Sequence, residues 1–241
     1  MSSTYDFLRD EDELTRFVDG VVPDLGDDEC LLLLLMARRK YLTEDERPTY
    51  ALGNSAVFRR DIIRSKDQIL SRVREMCVER GVYLDRDGRP LPDHAFSVYL
   101  TVNPRSERKA AVATVKEITD RLYDGQRIHL DDLVKSQLHQ SVARKVFLDF
   151  DIDPEGDDDL AGIIARIRGA LGSTPAHVIT TRTGAHVVVE TKGIDPSVKN
   201  TFFREVSEIG KGMSGAVEVH NDAMVPVPGT CQGGVMPKLQ A

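Results

Sequence analysis

The sequence predicts an α+β protein in which an N-terminal helical and α/β part is followed by a β-α-β-β-α-β unit. Three observations carry that expectation. Residues 145–220 present short apolar strand-like runs and two helix-patterned stretches in that order. The preceding residues hold amphipathic helix patterns and one strand, "AFSVYLTV", closed by Asn103 and Pro104. A composition of 41% hydrophobic and 29% charged over 241 residues provides apolar side chains for one large or two small cores.

Residues 1–30 hold ten Asp and Glu against two Arg and read as a solvated acidic lead-in. The next part, 31–144, opens with two expected helices, over "DDECLLLLLMARRKYL" and over "SAVFRRDIIRSKDQILSRVREMCVERG", the second stopped by Gly81. The exposed side of the second gathers Arg59, Arg60, Arg64, Lys66, Arg72 and Arg74. Such a row either meets a phosphate backbone or is a solvated charged face. "DRDGRPLPDH" is a turn-rich connection, and "ERKAAVATVKEITDRLYDG" is a further helix. The apolar run before Arg38 falls far short of the ~20 residues a membrane span needs, and the acidic start does not suit a signal peptide. No membrane contact and a cytoplasmic location are therefore expected. Cys30, Cys77 and Cys231 form no CxxC pair, which fits a reducing compartment and argues against a zinc finger.

In the last part, 145–241, strands are expected over 145–152, 176–181, 185–190 and 215–220. Helices lie at 157–171 and after Asp195-Pro196, with a tight turn at Thr183-Gly184. That order is the split β-α-β arrangement of ferredoxin-like domains, a four-stranded antiparallel sheet with helices on one face. Its first strand lies between the third and fourth. In "KVFLDFDID", alternation sends Asp149, Asp151 and Asp153 to one face and Leu148, Phe150 and Ile152 to the other. The topology brings His186, at the start of the third strand, and Glu218, at the start of the fourth, to the same patch as Asp149 and Asp151. Like charges held that close need a compensating cation. Oxygen donors with one histidine suit Mg²⁺ or Mn²⁺; zinc is not expected, because His186 is the sole nitrogen donor and these strands carry no cysteine. The competing reading is an ordinary polar sheet face. The net charge of −7 also misleads: without residues 1–30 and 149–159 the remainder carries +8.

These residues resemble the motifs of the archaeo-eukaryotic primase superfamily, the primase-polymerases of plasmids, phages and other mobile elements, archaea and eukaryotic replication. Apolar residues followed by Asp-x-Asp are matched by "VFLDFD". A Ser/Thr-rich turn leading to Gly-x-His and a strand is matched by "TTRTGAHVVV". An acidic strand residue followed by a Pro-Gly-Ser/Thr loop is similar to "VEVHNDAMVPVPGTCQGG". The third acid is more often Asp, so Glu218 and Asp222 are both candidates. Strand geometry favours Glu218, since Asp222 stands roughly 13 Å further along an extended strand.

The resemblance implies an RRM-like catalytic part with the active site in the cleft between it and the N-terminal part. It further implies template-directed nucleotidyl transfer from nucleoside triphosphates to a primer 3′-hydroxyl on single-stranded DNA, with two Mg²⁺ or Mn²⁺ ions on Asp149, Asp151 and Glu218. His186, with Thr183, Gly184 and Arg182, would meet the nucleotide. Arg105 and Lys109 would meet nucleic acid, and Pro228-Gly229-Thr230 would shape the cleft floor or be a plain turn. No helicase motif is present, so a separate helicase or replication protein is an expected partner. Two rivals remain: a metal-dependent nuclease with the same acids, and a non-catalytic replication or RNA-binding module. The second usually stacks bases on sheet aromatics, whereas this sheet face carries acids and the chain has no Trp.

Overall fold

The computed structural model describes residues 3–154, 159–211, 216–220 and 224–240, with 210, 211, 216 and 218–220 described for their backbone only. In chain order the elements are α1 (Glu11–Val21), β1 (Glu29–Arg38), β2 (Ser55–Ile63), α2 (Gln68–Met76), β3 (Phe96–Thr101), β4 (Arg105–Ser106), α3 (Glu107–Tyr123) and α4 (Leu130–Gln140). Then follow β5 (Phe147–Asp153), α5 (Leu160–Leu171), β6 (Ala176–Thr180), β7 (Ala185–Glu190), α6 (Phe202–Lys211), β8 (Ala216–His220), β9 (Met224–Pro226) and β10 (Lys238–Gln240). One sheet has the order β2-β1-β3-β9, with β4 on the start of β1; the other has the order β10-β6-β7-β5-β8. The described strand pairs are antiparallel. The chain is thus a mixed α+β protein. Among the described residues no helix is long and apolar enough to cross a membrane.

The first of the two expected early helices is a strand. Leu31, Leu33, Leu35 and Ala37 of β1 enter the main core, while Cys30, Leu32 and Leu34 enter a smaller one closed by Ala110 of α3 and Leu138 of α4. A strand covered on both faces is apolar at every position, so alternation vanishes and the run cannot be told from a buried helix by period. Each fully buried leucine there contributes roughly 1.5–3 kcal/mol. The second expected helix divides into β2 and α2. Only α2 keeps a helical stripe, burying Ile69, Val73 and Met76.

Five of the six cations of the basic row, all but Arg60, have a local acidic partner among the described residues. Arg59 pairs with Asp61 and Glu75, Arg64 with Glu107, Lys66 with Asp24, Arg72 with Glu75, and Arg74 with Glu11. The acidic start is no solvated lead-in either. Tyr5 and Phe7 stack in the core with ring centroids 5.3 Å apart, and α1, capped by Asp10, buries Leu14, Phe17, Val18 and Val21. Glu11, Asp12 and Asp19 face outward, Glu13 turns in to accept from the Leu239 amide, and the apolar positions, spaced at helical period, hold the helix down.

On one face of the second sheet, Phe150, Ile152, Val187 and Val189 pack under α5 and α6 through Ile163, Ile167, Phe202 and Val206. On the other face, Phe147, Ile179, Val188 and Leu239 join the main core beneath the first sheet. The face expected to lie open is therefore closed at one end, and the two sheets share a boundary. Met224 to Pro226 then return to the first sheet as β9 on β3. The Pro-Gly-Thr turn lies under α1. The Gly229 carbonyl accepts from the Arg9 and Asp10 amides, and a Cβ on Gly229 would stand 2.3 Å from the Asp10 carbonyl oxygen.

Candidate active site

Strand β5 is the centre of the site because both its neighbours run against it. Asp151 stands opposite His186 of β7 on one side and opposite Glu218 of β8 on the other. Asp149 lies two residues back along β5, opposite Val188 and His220. The structure thus places Asp149, Asp151, His186 and the backbone of Glu218 side by side, whereas Asp222 lies outside the described residues.

Asp149 departs from the expected solvent-facing ligand: it is 0% exposed. Its two carboxylate oxygens lie 3.0 and 3.1 Å from His186 Nδ1. The other ring nitrogen, Nε2, lies 3.5 Å from an Asp151 carboxylate oxygen. Burial alone would lower the pKa of His186, but the charge and hydrogen bond of Asp149, then Asp151 and Asp153, outweigh it and raise the pKa. Part of the repulsion among the strand's carboxylates is therefore relieved from within by an imidazole.

Between the two sheets lies a cleft of about 390 Å³. Asp151, Asp153, Thr183 and His186 form one wall; Arg38 at the end of β1, Lys40 just beyond it and Tyr99 of β3 stand on the other. Arg38 Nη1 donates to the Tyr99 hydroxyl at 3.1 Å, which is itself 3.1 Å from the Tyr41 hydroxyl. Burial works against the Arg38 charge, but Tyr99, and behind it Tyr41 and Asp151, raise its pKa. Burial likewise pushes the Tyr41 hydroxyl up, so it remains a neutral donor. A second basic hollow, lined by Arg38, Arg39, Lys40, Arg47 and Asn54, continues outward from the first.

The turn between β6 and β7 reaches this cleft as well. The Thr183 hydroxyl donates to Asp153 at 3.3 Å, the Arg182 amide donates to Gln232 at 3.0 Å, and the Arg182 guanidinium lies 5.5 Å from the Tyr41 ring centre. Gly184 is needed for a close approach, but to protein: a Cβ there would stand 1.9 Å from the Ile152 carbonyl oxygen. Arg105 and Lys109 do not line the cleft. Arg105, expected to face a phosphate, is fully buried where β4 pairs with β1, and Lys109 donates to the Val142 and Ala143 carbonyls at 3.2 and 3.4 Å.

Sequence reasoning missed Arg38, Lys40, Tyr99 and Gln232. The available signal was "ARRK" directly after the leucine run, which marks the mouth of a cleft once that run is read as a strand. Among the described residues no group of three or more His, Cys, Asp or Glu is arranged to hold a metal ion. The carboxylates of Asp151 and Asp153 suit a hard cation chemically; the cleft also holds the imidazoles of His139 and His186, and buried Cys30 and Cys231 are not among its lining residues. No protein-family model, curated protein or solved structure matches the chain.

Proposed function

We propose that the chain is a primase-polymerase that transfers a nucleotidyl group from a nucleoside triphosphate to a 3′-hydroxyl, directed by a single-stranded template. The observation that carries this reading is the pair of opposed walls, acids and His186 on one side and Arg38 and Lys40 on the other. A triphosphate is a polyanion, and it needs basic groups facing the acids that would hold its cations. The order β6-β7-β5-β8, antiparallel with α5 and α6 on one face, supports a ferredoxin-like, RRM-like unit, with the cleft at its boundary as the active site.

Asp151 and Glu218, opposite each other in backbone register, would hold Mg²⁺ or Mn²⁺. Bound divalent ions would lower the pKa of the attacking hydroxyl and offset charge on the triphosphate and the leaving pyrophosphate. Arg38 and Lys40 bind phosphate oxygens, Arg38 being held in place by Tyr99. His186 presents Nε2 to the nucleotide, and Arg182 guards the entrance above Tyr41. The outer basic hollow suits the phosphodiester backbone of the template.

The test is nucleotide incorporation on single-stranded DNA with Mg²⁺ or Mn²⁺, with and without a primer, for wild type and Asp151→Ala. Incorporation by wild type and its loss in the variant are expected. Strand cleavage without incorporation would replace the reading with a nuclease, and inertness towards both substrates would replace it with a binding module.

A further inference from the structure

Asp149 has the charge of a cation ligand and the surroundings of something else. Asp151 and Asp153, the next two acids on its face of β5, line the cleft, and Asp149 does not. Its carboxylate is wholly buried, and both oxygens converge on the single atom His186 Nδ1 at 3.0 and 3.1 Å. A carboxylate in that position takes a nitrogen bearing hydrogen, so Nδ1 carries a proton and the ring is fixed with Nε2 towards Asp151 and the cleft. Turning Asp149 out to reach a cation would leave the buried Nδ1–H without its acceptor.

We propose that Asp149 is a positioning residue: it touches neither cation nor nucleotide, but holds the Nδ1–H and the orientation of His186, whose Nε2 meets the substrate. What Nε2 meets rests on the nucleotidyl-transfer reading; the Asp149–His186 pairing does not. Strand β5 then divides its acids by depth, with Asp149 serving the histidine and Asp151 serving the cleft. A carboxylate behind a working histidine is a common way to fix which ring nitrogen is presented.

The deciding experiment is proton–nitrogen NMR of the full chain labelled at histidine, with His186→Gln assigning the signal. The wild-type protein is expected to show a downfield His186 Nδ1 proton that survives saturation with Mg²⁺ and a non-hydrolysable nucleoside triphosphate. Asp149→Asn should lose that signal and raise the KM for nucleotide about tenfold, with Mn²⁺ affinity, measured by electron paramagnetic resonance, within about threefold of wild type. Asp151→Asn should keep the signal and lose at least about tenfold in Mn²⁺ affinity. Loss of the wild-type signal on adding Mg²⁺ would overturn the proposal without any variant having to fold. So would an Asp149→Asn defect in Mn²⁺ affinity as large as that of Asp151→Asn. If the wild type neither bound Mn²⁺ nor incorporated nucleotide, the nucleotidyl-transfer reading would fall, and the Nδ1 signal would still decide whether Asp149 holds His186.

Discussion

Replacing Asp151 by Ala removes a half-buried carboxylate from the cleft while leaving Phe150 and Ile152 in their core. The expected outcome is a loss of incorporation of roughly a hundredfold or more with an unchanged thermal melt, checked by primer extension and circular dichroism. Gly184→Ala should behave in the opposite way. Its methyl would meet the Ile152 carbonyl oxygen at 1.9 Å, so a destabilisation of about 1–3 kcal/mol is expected in urea titration. At this scale the sequence was informative about acids and less so about bases. Alternation alone put Asp149, Asp151 and His186 on one face, because strand period is insensitive to what covers the face. That same insensitivity hid the burial of Asp149, whose neighbours on that face of the sheet, Phe147 and Val188, join the main core. Arg105 was misread for a related reason: a cation next to a Pro turn looks exposed until its pairing with β1 is known. Arg105→Ala should therefore lower the melting temperature by several degrees, a shift typical of about 1–2 kcal/mol, instead of altering template affinity.

Among the elements, β1 is the one whose period says least and whose burial says most. Leu33→Ala should cost about 2–5 kcal/mol by chemical denaturation, because the side chain lies in the main core beside β3. Strand β5 was legible because its acids alternate with Phe150 and Ile152 of the core, whereas β7 is buried on both faces from Ala185 to Val189. The loops that join them carry their own chemistry. The Asp195 carboxylate accepts from the Ser197 hydroxyl at 2.7 Å, from the Ser173 and Ser197 amides at 3.0 and 2.8 Å, and from the Ser173 hydroxyl at 2.8 Å. These bonds, the Ser197 hydroxyl first, hold its carboxyl well below the usual range. A carboxyl depressed in the folded state stabilises at pH above its ordinary value near 3.9, and that stability is lost as pH falls through the depressed value. Asp195→Asn should thus flatten the acid limb of the melting-temperature profile between about pH 4 and pH 2 while changing little of its slope near neutrality.

Over the whole molecule, the thiols report whether the two cores that hold Cys30 and Cys231 close as described. Burial pushes Cys30 up to about 11 and raises Cys231, while Cys77 is half-buried. One fast thiol at neutral pH and three after unfolding are expected with a disulfide reagent. The C-terminal segment has a further consequence. The chain enters the second sheet at β5, goes back to the first at β9, and adds β10 to the second again, with the Leu239 carbonyl accepting from Arg16 of α1 at 2.7 Å. A jaw that swings needs a single hinge, and here several covalent spans cross the gap. The slot between the sheets should therefore keep a fixed gauge: on the proposed nucleotidyl-transfer reading, a nucleotide would enter by displacing side chains such as Arg182, and the radius of gyration measured by solution scattering should stay constant when a nucleoside triphosphate is added.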